Sequence, residues 1–156
     1  MPNADKRFVA DVMLGRLARW LRLLGCDVVY DRDGEDSALL AKALADKRVL
    51  LTADCELAQR AKSSGYLVCA EGTEKQLREV VCRFEIEPKL YGDRCAECNG
   101  LVTEVPRESV VGEVPKYTFL THKKFFRCEN CQRVFWEGSH RELAEEDLNR
   151  ILTTND

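Results

Sequence analysis

The apolar positions of this chain change rhythm several times in the first 84 residues. "RFVAD" (7–11) is a short apolar run of strand type, and "VMLGRLARWLRLLG" (12–25) follows with apolar residues at helical spacing and Gly25 placed as a stop. "CDVVY" (26–30) reads as a second strand, the acidic turn "DRDGED" follows, and the Ala- and Leu-rich "SALLAKALADKR" (37–48) reads as a second helix. "VLLTAD" (49–54) predicts a third strand, "CELAQRAKSSG" (55–65) a third helix and "YLVCAEG" (66–72) a fourth strand. Thr73 and Gln76 have the spacing of a capping box for the helix "EKQLREVVCRF". Four successive β-α units predict an α/β fold with a parallel sheet and helices on its faces, because parallel neighbours need crossover connections.

Beyond this point the texture changes. "FEIEPKLY" (84–91), with Pro88, reads as a link to a second unit. "CAECNGLVTEVP", "SVVGEVP" and "YTFLTHKKFFRCENCQRVFW" are punctuated by Gly and Pro and rich in Val and Phe, which predicts short strands and knuckles. "HRELAEEDLNRIL" (140–152) predicts a closing helix. The expected division is residues 1–90 as one α/β domain and 91–156 as a small second domain that includes the closing helix. The sequence contains neither an internal repeat nor a low-complexity tract.

Composition and charge narrow the function classes. A chain of 156 residues, 45% hydrophobic and 33% charged, is long enough for one good core and a small appendage, and disorder is excluded as a default. The formal net charge is -3, with 15 basic and 15 acidic residues up to Leu90 and 9 against 12 after it, so any nucleic-acid surface is local. "MPNADKRFVAD" lacks the apolar core of a secretory signal, and no apolar run reaches the roughly 18 residues of a membrane span, so a soluble cytoplasmic protein is expected. Of eight cysteines, Cys26, Cys55, Cys69 and Cys82 are scattered and read as core thiols, whereas Cys95, Cys98, Cys128 and Cys131 form two C-x-x-C pairs and read as metal ligands.

A parallel sheet brings the residue after each strand, or the start of the next helix, to one common edge. Asp11, Asp36 and Asp54 all meet that description, with Asp31, Asp33, Glu35 and Glu71 nearby. Converging carboxylates repel one another and lose hydration unless a cation sits among them, and Mg²⁺ or Mn²⁺ prefers such oxygen ligands. The chemistry this predicts is that of a metal-dependent nuclease. Arg16 and Arg19, a turn or two along the first helix, are placed to hold substrate phosphates. Each aspartate also precedes a helix and is a favoured N-cap, and Arg16, Arg19 and Arg22 also make a polar stripe of the kind a helix turns to solvent.

The two C-x-x-C pairs can each form a thiolate knuckle, and together they close a tetrahedral Zn²⁺ site with no open position, hence a structural one. The 29 residues between the pairs contain enough strand-like sequence for a hairpin. Within them "THKKFFRC" interleaves His122, Lys123, Lys124 and Arg127 with Phe125 and Phe126, a combination suited to single-stranded nucleic acid and equally to ribbon core. His140, in "WEGSH", reads as a surface or hydrogen-bonded histidine.

Taken together, "RFVADVMLGRLARWLRLLGCDVVY", "DSALLAKA", "VLLTADCELA", the two C-x-x-C pairs and "VFWEGSH" resemble the Mut-seven C-terminal ribonuclease family over nearly the whole chain. The resemblance implies a PIN-like three-layer fold with a mainly parallel sheet and a C-terminal zinc ribbon. It also implies metal-dependent cleavage of RNA, single-stranded, at Asp11, Asp36 and Asp54; the fourth acid of many PIN sites has no clear match in this sequence, Glu71 being the candidate. Two positions depart from the family pattern: Ala53 stands where an arginine precedes the aspartate, and Arg141 where an aromatic follows the histidine.

Two other classes compete. A non-catalytic zinc-ribbon adaptor binding RNA or the ribosome would rely on Lys123, Lys124 and Arg127 and not on the aspartates. A phospho-accepting receiver would use Asp54, but it wants a hydroxyl residue at the end of strand four, where "YLVCAEG" has none past Tyr66.

Overall fold

The computed structural model describes residues 2–154. Four short strands, β1 (Arg7–Ala10), β2 (Asp27–Tyr30), β3 (Val49–Thr52) and β4 (Gly65–Leu67), pair in parallel in the order β2-β1-β3-β4. Side chains alternate across the sheet with period two, and both faces are covered. Phe8, Ala10, Val28 and Leu51 enter one apolar cluster with Leu17 and Leu21 of α1 (Gly15–Leu23) and Leu77 and Val80 of α4 (Thr73–Arg83). Val9 and Leu50 enter the other with Leu39 and Ala43 of α2 (Asp36–Ala45) and Leu57 and Ala61 of α3 (Cys55–Ala61). The result is the expected mixed α/β fold, helices on both faces of a parallel sheet.

Local chemistry sets the joints. The first helix begins as a 3₁₀ turn, Val12–Leu14, and becomes α-helical at Gly15. A β carbon at Gly15 would stand 2.8 Å from the Tyr30 hydroxyl oxygen, so a larger residue here would push aside the Tyr30 ring whose hydroxyl donates to the Val12 carbonyl. Gly25 ends that segment with φ +88°, as its placement predicts. The capping box does not form: Gly72 is the N-cap, Thr73 is already helical, and the Gln76 side-chain amide donates to the Ala70 carbonyl instead.

The second unit is a three-stranded antiparallel sheet, β5 (Val102–Val105), β6 (Phe125–Cys128) and β7 (Val134–Trp136). Two stretches expected as strands or knuckles are helical: a 3₁₀ turn at Arg107–Val110 and α5 (Lys116–Thr121). Pro106 and Pro115 stand at their N-caps, with φ near -57° at each, already suited to lead into a helix. Phe119 then stacks on the fully buried Phe125, rings 6.2 Å apart, so apolar residues that look strand-like serve a helix packed on the strand. The closing helix α6 (Ser139–Thr153) returns to the first unit, where Leu148 and Ile151 join the cluster of α1 and α4.

Edge strand β2 is where the two units lock. The Asn99 side-chain oxygen accepts from the Val28 N–H at 3.0 Å, and its amide donates to Asp27 at 2.7 Å. Arg22, read above as part of a solvated stripe, is 5% exposed and joins the same edge: its Nε donates to the Val28 carbonyl at 2.9 Å and its Nη1 to the Ala96 carbonyl at 3.1 Å. An exposed strand edge is thereby covered by side chains in place of another strand.

Asp27 also receives a two-pronged contact from buried Arg48, at 2.8 and 3.1 Å. Burial pushes the Asp27 carboxyl up, but the hydrogen bonds from Arg48 and Asn99 outweigh it and hold the group below the ordinary aspartate value. A lowered folded value means stability that is fully present above the unfolded pKa of about 3.9 and is lost as pH falls through the folded one. Asp27→Asn is therefore expected to cost about 2 kcal/mol at pH 7 in urea unfolding, with the gap from the parent closing below pH 4. An equal gap at pH 7 and pH 3 would show that the carboxylate charge contributes nothing.

Candidate active site and metal centre

The carboxyl edge of the parallel sheet gathers Asp11 and Asp54 around one hydroxyl. Asp11 follows β1 directly and is 5% exposed; its N–H still donates to the Leu51 carbonyl of β3 at 2.9 Å. One carboxylate oxygen accepts from the Val12 N–H at 2.6 Å, and the other accepts from the Thr52 hydroxyl at 2.9 Å. The same hydroxyl oxygen accepts from the Asp54 N–H at 3.0 Å. Fully buried Thr52 thus fixes the Asp11 carboxylate and the Asp54 backbone together.

Asp54 serves as the N-cap of α3, its Oδ1 accepting from Glu56 N–H at 2.8 Å and Leu57 N–H at 3.1 Å. That occupies one oxygen of a group with about four lone-pair sites, so capping and metal ligation are compatible. Asp36 is not a cap: Glu35 holds that position without a side-chain bond, and Asp36 is the exposed first residue of α2, with one oxygen 3.7 Å from Arg60 of α3. Glu71 is exposed in the segment after β4.

The basic residues divide into free and engaged. Arg16 and Arg19 line a cleft of about 680 Å³ between α1, α6 and the first turn of α4. Arg16 is exposed and forms no ion pair among the described residues, whereas Arg19 is paired with Glu97 of the first cysteine knuckle. Lys123 and Lys124 are exposed between α5 and β6. Arg127 is held in the ribbon by Glu113 and by the carbonyls of Gln132 at 3.1 Å and Ser109 at 3.3 Å. Phe125 is core, and Phe126 is half-buried on the next position of the strand.

The four paired cysteines have all their sulfurs within 4.8 Å of one another. Cys95 and Cys131 are 3.8 Å apart and Cys98 and Cys128 3.4 Å apart, close to the edge of about 3.8 Å that a tetrahedron with Zn–S bonds near 2.3 Å requires. Backbone N–H groups of Gly100, Asn130 and Cys131 point at the sulfurs of Cys98 and Cys128 at 3.4 to 3.5 Å, as thiolate knuckles demand. Burial pushes the Cys98 thiol up, but hydrogen bonds from Asn130, Gly100 and the neighbouring cysteines outweigh it and bring it down to about 6. The donor set therefore fits a metal ion such as zinc. Arg22 is the charge that faces it: burial lowers the guanidinium from its ordinary value, while Cys98, Cys95 and Glu97 favour its charged form. Of the scattered cysteines only Cys26 is a core thiol; Cys55 at the start of α3, Cys69 in the segment after β4 and Cys82 on α4 are exposed.

Among the described residues, no set of aspartates is as tight as the cysteines. Mg²⁺ and Mn²⁺ do not demand that, since such ions bind through one or two carboxylates and keep several waters. Thr52 orients the Asp11 carboxylate and the Asp54 backbone, and the cap bonds orient the Asp54 carboxylate, so two hard oxygen donors of the type such an ion takes stand at this edge. Thr52, Arg22 and Asn99 escape a reading of the sequence. The Asn99-Gly100 pair was the one available signal, since Asn99 has φ +70°, a conformation that asparagine tolerates better than most residues.

An α/β protein with acids at the carboxyl edge of a parallel sheet, and a ribbon whose four cysteines could hold a metal ion pinned to that sheet's edge strand, is the class that fold and site define. Within it, the family model described as the Mut7-C RNAse domain matches residues 6–148, nearly the whole chain, and the chain belongs to that family. Comparisons with curated proteins and with solved structures found no match. A ribonuclease-domain family suggests a nuclease-like role with RNA as the substrate. No helix among the described residues is long and apolar enough to cross a membrane.

Proposed function

We propose that this protein is a PIN-like, Mg²⁺- or Mn²⁺-dependent ribonuclease of the cytoplasm that hydrolyses single-stranded RNA at Asp11, Asp54 and Asp36. The observation that carries this reading is the Thr52 hydroxyl joining Asp11 to Asp54 at the sheet's carboxyl edge. When bound there, the dication supplies Lewis acidity toward the scissile phosphate and toward the attacking water. The chain's own residues do the rest. Asp11 is held rigid by two hydrogen bonds, Asp54 keeps one carboxylate oxygen outside its cap, and Asp36 offers a third carboxylate from the start of α2. Arg16 and Arg19 stand one to two turns beyond Asp11, where substrate phosphates would meet them, and Ala53 leaves the step between Thr52 and Asp54 without a guanidinium. In this reading residues 1–90 carry the chemistry and the zinc-loaded ribbon of 91–156 is structural and contributes the exposed Lys123 and Lys124 to the RNA surface, Arg127 being engaged within the ribbon.

The test is cleavage of a labelled single-stranded RNA across a Mn²⁺ titration in otherwise metal-free buffer, with the parent and Thr52→Val. Removing a group that orients a ligand typically weakens metal affinity 10- to 100-fold. Thr52→Val is expected to raise the Mn²⁺ needed for half-maximal cleavage by about tenfold, with cleavage by the parent absent without the ion. Metal-independent cleavage, or identical titrations, would remove the metal from the account.

A further inference from the structure

The cleft that holds Arg16 and Arg19 does not end at α6. His140, near the start of that helix, lines it and also lines a second cleft of about 410 Å³ on the ribbon, together with Tyr117, His122 and Trp136. The first cleft contains Trp20. Both tryptophans and both histidines of the chain therefore line one continuous surface, which runs from α1 across α6 to α5. Trp20 also packs on the cluster of α1 and α4, and the His122 ring lies 6.5 Å from that of Trp136, but Tyr117, 77% exposed, has no folding explanation.

The charges along this surface are sorted. Glu74 and Asp147, the carboxylates of the first cleft, are both held by Arg150, at 2.9 and 3.3 Å. Arg16 is left unpaired among the described residues, and Lys123 and Lys124 directly follow His122 at the far end. Gly138 also lines the second cleft, where a β carbon would stand 3.5 Å from both the His122 and Trp136 rings. Aromatic faces spaced along a groove, with cations at its two ends, suit a polymer whose bases stack and whose backbone is anionic. A duplex hides its bases from such rings, so the partner is a single strand.

We propose that these two clefts, joined at His140, form the track along which single-stranded RNA is fed to the aspartate edge, with Trp20, Tyr117, Trp136 and His140 as stacking platforms and Arg16 as the phosphate contact nearest Asp11. This rests on the ribonuclease reading for the identity of the polymer. It also shifts the RNA surface of the ribbon away from Arg127 and Phe125, which the structure uses internally, to the α5 side.

The test is fluorescence-anisotropy binding of a labelled 12-nucleotide RNA to the zinc-loaded protein carrying Asp11→Asn, without added Mg²⁺ or Mn²⁺. Arg16→Glu, Tyr117→Ala and His140→Ala are introduced singly because all three side chains are exposed and the fold does not need them. Loss of one stacked base weakens binding by about five- to a hundredfold, so Tyr117→Ala and His140→Ala are each expected to raise Kd by about tenfold, and Arg16→Glu similarly with a shallower salt dependence. A blunt RNA duplex of the same length is expected to bind at least tenfold more weakly. Parent-like affinity in all three variants, or equal affinity for the duplex, would overturn the track. So would variants that leave RNA binding intact but dissociate a dimer, which would make this face a contact between copies of the chain. The outcome is separable from the catalytic reading: binding lost in these variants while Asp11→Asn still cleaves keeps the track and removes the proposed chemistry, and the reverse pattern removes only the track.

Discussion

Asp11→Asn and Asp54→Asn are each expected to lower RNA cleavage by about a hundredfold or more while leaving the fold intact. The magnitude follows from the chemistry: losing a ligand of the ion that activates water costs more than losing a group that merely orients a ligand, which typically costs 10- to 100-fold. The preserved fold follows from the hydrogen bonds. Asparagine is as good an N-cap as aspartate, so the oxygen that receives Glu56 and Leu57 N–H survives at position 54. At position 11 an amide oxygen can still accept from the Thr52 hydroxyl or the Val12 N–H. Asp36→Asn is expected to cost less, about tenfold, because that carboxylate is half exposed and stands outside the Thr52 bridge. The check is turnover of a labelled single-stranded RNA beside circular dichroism of each variant. Full activity in either the Asp11 or the Asp54 variant would contradict the assignment.

Loss of the ribbon's metal is expected to have the largest effect on structure. Structural zinc centres contribute on the order of 10 kcal/mol of binding free energy at neutral pH, and that energy is folding energy. Cys128→Ser is expected to abolish stoichiometric zinc and unfold β5, β6 and β7, whose pairing runs through Cys128 itself opposite Val102. The effect extends to the first unit. Asn99 and the Ala96 carbonyl lie between the cysteines or beside them, and they cover Val28 and Arg22 on the edge of the parallel sheet. Without the knuckle, buried Arg22 faces solvent and β2 loses its cover. A fall in the melting temperature of the whole protein, together with zinc content near zero by elemental analysis, is the predicted pair of results. A zinc-free variant melting like the parent would show that the ribbon is an independent appendage.

How much of this was legible beforehand depends on whether a residue's role is local. Strands and helices of the first unit follow from apolar rhythm, and Asp11 and Asp54 stand out because each ends an apolar strand run with a charge. Thr52 did not, since threonine is an ordinary strand residue and only the fold shows its hydroxyl between two acids. Arg22 sits in a helical row with Arg16 and Arg19, and what buries it is a knuckle more than 70 residues away in sequence. The same long-range packing brings α6, written after the ribbon, onto α1 and α4. The four zinc-type cysteines were plain because their spacing is itself the constraint. α5 was hidden because Phe119, read as strand-like, is spent on stacking against Phe125 from a helix led in by Pro115.

The claim on which the account depends is that Asp11 and Asp54 share a divalent cation. A crystal soaked in Mn²⁺ and measured at the manganese absorption edge tests it directly, with the zinc in the four-cysteine centre as an internal control at its own edge. An anomalous peak within ligand distance of an Asp11 or Asp54 carboxylate oxygen is the expected result. A loaded zinc centre with no manganese at that edge, at an ion concentration that supports cleavage in solution, would contradict it.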